Sequence, residues 1–167
     1  MNIIEKYHNK PWNWELLSMN PSIDLVNDGI YNMVTELLLL DIETVPCAAS
    51  FTELDSGWRS LFCEKITKTV PEDMDPAESY RKKAGILAEF GKIVCISTAF
   101  FYENETKELS LKMKSISGED EVEILRNFTD LCDKMYQHNR HFQFGGHNIK
   151  EFDIPFICRR LLINRLP

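Results

Sequence analysis

Leu37-Leu38-Leu39-Leu40-Asp41-Ile42-Glu43-Thr44-Val45-Pro46 is the stretch on which the fold turns. Four leucines in a row, closed off downstream by a proline, suit a short buried strand. The run becomes acidic at its end. Residues two apart on a strand point to the same face, so Asp41 and Glu43 project together while Ile42 points away. Two carboxylates side by side repel, and burial raises the cost unless a cation or a proton intervenes. A divalent metal is a natural answer, because hard cations take oxygen ligands. Taken alone, the same tripeptide also describes a solvated acidic pair at a strand end.

A second stretch lies far downstream: Gly145-Gly146-His147-Asn148-Ile149-Lys150-Glu151-Phe152-Asp153-Ile154-Pro155-Phe156-Ile157. Together the two resemble the first two motifs of the DnaQ-like (DEDD) 3′–5′ exonucleases. The first motif there is Asp-x-Glu on the opening strand. The second, in the branch like the proofreading domain of family-B DNA polymerases, is Asn-x-x-x-Phe-Asp, matched here by Asn148, Phe152 and Asp153. The likeness is nearest to bacterial exonucleases related to that polymerase domain, and it runs from about Leu37 to Pro167.

The resemblance implies a ribonuclease-H-like α/β fold and metal-dependent hydrolysis of nucleic acid from single-stranded 3′ ends, DNA in preference to RNA. Such hydrolysis must place a nucleophile in line and stabilise a departing 3′ oxygen, which two metals roughly 3.5–4 Å apart can do. By position, Asp41 would bridge two Mg²⁺ or Mn²⁺ ions, Glu43 would hold the ion that activates water, and Asp153 would complete the cluster. Asn148 and Phe152 would contact the terminal nucleotides, with Ile42 and Thr44 beside them. On residue type alone, Asn148 also suits a turn, and Phe152 also suits a core-facing helix position. His147 reads as a residue that orients the loop.

The family's third motif, Tyr-x-x-x-Asp or His-x-x-x-x-Asp, has no match after Asp153; Tyr136 and His138 come too early. The expectation is therefore an exonuclease-like domain over 37–167 that lacks its C-terminal part, weak or inactive by itself. The alternative is a non-catalytic remnant of that fold that binds nucleic acid or a partner protein.

The bulk numbers set limits. A chain of 167 residues, 44% hydrophobic and 27% charged, suits one globular domain with a real core. A net charge of −7 argues against gripping nucleic acid by global charge. No apolar run nears the ~20 residues of a membrane span. The five scattered cysteines include no Cys-x-x-Cys, so reduced thiols in the cytoplasm are expected rather than a zinc site. The pair His138 and His141 is read as solvated loop histidines.

Residues 1–36 read as an N-terminal appendage, with Pro11-Trp12-Asn13-Trp14 and Asn20-Pro21-Ser22-Ile23 resembling a short repeat of giant DNA virus proteins. The rest predicts a mixed sheet flanked by helices. After the first strand comes a long, partly helical connection pinned by Trp58, Leu61 and Phe62. Asp75 caps a helix with Pro76 at its first position, carrying Tyr80 through Phe90 and stopped by Gly91. Residues 93–102 and 108–113 predict a hairpin. Apolar Val122, Leu125, Phe128, Leu131, Cys132 and Met135 predict a helix. Phe142–Phe144 predicts a short strand, and Phe152–Ile163 a final helix. Arg81, Lys82, Lys83, Arg159, Arg160 and Arg165 are read as solvated helix faces rather than a strand-binding groove.

Overall fold

The leucine run forms strand β1, Leu37–Pro46, in a computed structural model that describes residues 28–67 and 75–167. Its odd and even positions part company as alternation requires: Leu38, Leu40 and Ile42 are buried, while Asp41 and Glu43 are exposed. Strand β2, Gly91–Glu103, pairs antiparallel with β1 from Leu38↔Phe100 to Pro46↔Gly91. Strand β3, Leu109–Ser117, continues the hairpin antiparallel to β2. Strand β4, Gln143–Gly145, runs parallel to β1 but covers only Leu37 to Leu39. The result is a four-stranded mixed sheet of order β3-β2-β1-β4.

Helix α1, Asp28–Thr35, precedes the sheet. The chain divides into two compact units, Met1–Val34 and Thr35–Pro167. The tryptophans at 12 and 14 lie outside the described residues. Helices α2 (Ser56–Ile66) and α3 (Pro76–Lys83) lie in the connection after β1. Helices α4 (Glu121–His138) and α5 (Asp153–Ile163) flank β4 in sequence.

The main core joins one sheet face to α4 and α5. Leu40, Ile42, Ile96 and Ile116 meet Ile124, Leu125, Phe128, Phe156 and Ile157. The three α4 residues fall at helical spacing, which is why that stripe packs inward. Each fully buried side chain of this size contributes about 1.5–3 kcal/mol of apolar transfer. Asp120 starts α4 by accepting a hydrogen bond from Val122 N at 2.8 Å.

A second, aromatic cluster anchors the connection. Phe62 stands edge-on to Tyr80 and to Phe90, with ring centroids 5.1 and 5.0 Å away. The Tyr80 hydroxyl binds back to Ala48, accepting from its N–H at 3.2 Å. Of the expected anchors only Phe62 is buried; Trp58 and Leu61 are 44% and 53% exposed.

Two expectations need correction. The α3 helix stops at Lys83 rather than near Phe90, although Asp75 caps it and Pro76 opens it as predicted. Ala84–Ile86 tighten into a 3₁₀ turn, and Gly91 starts β2 instead of ending the helix. The reason is steric: a Cβ on Gly91 would lie 2.7 Å from the Gly85 carbonyl oxygen, so only glycine lets the turn close onto the strand. Arg160 is not a solvated cation. It is 6% exposed and its guanidinium is paired with Glu121, itself 7% exposed. Glu121 also accepts from Ile93 N and from the Asn164 amide, and Arg160 donates to the Ala88 carbonyl. One buried pair thus fastens the start of α4, the end of α5 and the start of β2.

No helix among the described residues is long and apolar enough to cross a membrane. All five cysteines are free thiols.

Candidate active site

The short β4 decides the local geometry. Beyond Leu39 the β4-side edge of β1 has no strand partner. Gly146 follows β4 and lies so close to β1 that an added Cβ would sit 2.5 Å from the Leu40 carbonyl oxygen. The Leu40 backbone therefore faces this edge, and Ile42, two residues on, faces it too. A buried N–H on an open edge needs an acceptor. Asp153, the first residue of α5, supplies it: Ile42 N–H donates to Asp153 Oδ1 at 3.1 Å. The two residues are 111 apart in sequence.

Asp153 is only 3% exposed. Burial pushes its carboxyl above the ordinary carboxylate range; the hydrogen bonds from Ile42 and from its own backbone oppose this. The Asp41 charge pushes it further up, and His147 pulls it down. Asp41 and Asp153 are thus close enough to feel each other, from opposite sides of the Ile42 peptide. The site sits at the carboxyl ends of the parallel pair β1 and β4, where α/β sheets commonly bind ligands.

Next to Glu43 the ladder slips. Glu43 pairs with Cys95 but Thr44 pairs with Ile93, leaving Val94 as the extra residue of a β-bulge. Bulges bend a strand and re-aim neighbouring side chains, and they are common beside functional sites. On the same face as the two acids, Asp41 is followed across the strands by Ser97 and Ser115, whose hydroxyls are 3.1 Å apart.

The remaining expected site residues fall in different surroundings. Asn148 is exposed and has a left-handed backbone, φ 54°, a conformation asparagine tolerates better than most residues. Its carbonyl accepts from Glu151 N and Phe152 N, so it turns the loop into α5. Phe152 packs on the main core and lies 5.5 Å from Phe156, ring to ring. Ile42 is buried in the core, and Thr44 is half-buried near the bulge.

Asp41, Glu43 and Asp153 offer oxygen donors only, the chemistry that Mg²⁺ and Mn²⁺ favour. Among the described residues, though, no three His, Cys, Asp or Glu side chains form a ready-made metal cluster. Sequence reasoning missed the Val94 bulge and the close approach of Gly146. The second had a signal, the Gly145-Gly146 pair; the first had none.

No family model matches this chain, and no curated protein or solved structure is significantly similar to it.

Proposed function

We propose that the Thr35–Pro167 unit is a ribonuclease-H-like domain of DnaQ-like type that hydrolyses nucleic acid from single-stranded 3′ ends, using divalent ions. The observation that carries the reading is the hydrogen bond from Ile42 N–H to Asp153 Oδ1 at 3.1 Å. It brings the acid of the second sequence motif onto the peptide that separates the two acids of the first. A structural acid at a helix start has no need of that partner, because α5 could begin with any capping residue.

Asp41, Glu43 and Asp153 would hold Mg²⁺ or Mn²⁺. The ions, when bound, would activate water and neutralise charge on the phosphate. The chain's own part is to position and shield. Asp153 presents Oδ2 outward while Oδ1 is fixed by the Ile42 peptide. Asp41 and Glu43 stand on the exposed face, where a phosphodiester can reach them. The Val94 bulge sets the direction of Glu43.

The test is degradation of 5′-labelled single-stranded DNA with Mg²⁺ or Mn²⁺, with Asp41→Ala as control. A 3′-to-5′ ladder that disappears in Asp41→Ala is the expected result. A ladder unchanged in that variant overturns the assignment. A second reading, a non-catalytic binder of the same fold, is favoured by the lack of a closed three-residue metal cluster among the described residues. It predicts divalent-dependent binding of the oligonucleotide without cleavage.

A further inference from the structure

The loop between β4 and α5 is held at both ends. Gly145 is in register with Leu39, and Asp153 is bonded to the Ile42 peptide. Between them Gly146 lies on the Leu40 carbonyl, and Ile149 turns inward, 7% exposed, against the same glycine. Asn148 reverses the backbone with φ 54°. The loop is thus pressed along the open edge of β1 from Leu40 to Ile42. His147, between the pressed glycine and the left-handed turn, is left exposed over that edge. It acts electrostatically on Asp153, which gives its place a second support.

A nucleotide end that approaches Asp41 and Asp153 brings its own negative charge to an acidic place. Bound ions offset part of that repulsion, and a donor on the protein is needed to orient the phosphate. We infer that His147 is a substrate-contacting residue, its imidazole N–H donating to a non-bridging oxygen of the 3′-terminal phosphodiester. This rests on the nuclease reading above and adds to it a named phosphate contact. Such a role explains a ring kept out of the core on a loop that is otherwise tightly docked. It also needs no third-motif residue.

The test measures binding of a 5′-fluorescein single-stranded DNA by anisotropy in Ca²⁺, for the wild type and His147→Ala. A second oligonucleotide carries an uncharged methylphosphonate at its 3′-terminal linkage. Losing a hydrogen bond to a charged group should weaken binding of the all-phosphate oligonucleotide about 10- to 100-fold. The methylphosphonate oligonucleotide should bind both proteins alike, and the Mn²⁺-induced rise in melting temperature should be the same in both. Equal affinity of the two proteins for the all-phosphate oligonucleotide overturns the role of His147 and leaves the nuclease reading standing. So does an equal loss for both oligonucleotides, which marks a loop defect. A wild type that binds neither oligonucleotide at any divalent concentration overturns both.

Discussion

Asp153 sits between opposing forces. Burial and the neighbouring Asp41 charge raise its carboxyl above the ordinary value of 3.8, while the Ile42 N–H and His147 pull it back. A raised acid binds its proton more tightly in the folded state than in the unfolded chain. Stability contributed by this group is therefore full below pH 3.8 and falls as pH rises through the folded value. Asp153→Asn keeps an oxygen for Ile42 and removes the charge. It should raise the melting temperature of the ion-free protein by about 2–4 °C, equivalent to roughly 1 kcal/mol. It should also abolish the Mn²⁺-dependent rise seen in the wild type. Calorimetry with and without Mn²⁺ checks both; an unchanged Mn²⁺ response in the variant would remove Asp153 from the ion site. The acids at 41, 43 and 153 were legible because motif spacing is written in one dimension. The αL turn at Asn148 was half-legible, since the residue type permits it. The burial of Arg160 was not, because its partner Glu121 is 39 residues away and nothing local marks the pair.

At the scale of elements, glycines control how closely loops dock. Gly146→Ala would place a Cβ 2.5 Å from the Leu40 carbonyl, a contact that backbone must relieve. The β4–α5 loop should lift, costing about 1–3 kcal/mol in urea denaturation and lowering Mn²⁺ affinity with it. In α4, Asp120→Ala removes the cap on Val122 N and should cost about 1 kcal/mol, with no effect on Mn²⁺ binding. The contrast separates damage to the site from damage to the fold. Strands β1 to β3 and helix α4 could be read in advance because period and turn residues agree over their length. The end of α3 could not: residues 84–90 carry helix-compatible residues, and only the close approach of Gly85 to Gly91 forces the earlier stop. Tertiary packing overrode local propensity there.

At the scale of the whole molecule, the Glu121–Arg160 pair is the central fastening. Burial alone would raise the Glu121 carboxyl, but Arg160, Ile93 N–H and Asn164 hold it below its ordinary 4.5. The stability it contributes is present above pH 4.5 and is lost as pH falls through the folded value, the reverse of Asp153. Arg160→Met leaves a buried carboxylate unpaired and should cost about 3–5 kcal/mol, whereas the double change with Glu121→Leu should recover much of that loss. Equilibrium unfolding of the single and double variants checks the coupling. The sheet order itself was not spelled out by the chain; the mixed character was, through the hairpin and the late short strand. The bond between Ile42 and Asp153 carries one more consequence. Because it closes a span of 111 residues, its entropic cost is met only once the intervening chain is in place. During synthesis the first two acids emerge long before the third, and until the last helix docks they are an ordinary solvated pair. The pocket therefore reports on completed folding, and a protease cut that frees α5 would silence it while leaving the hairpin intact.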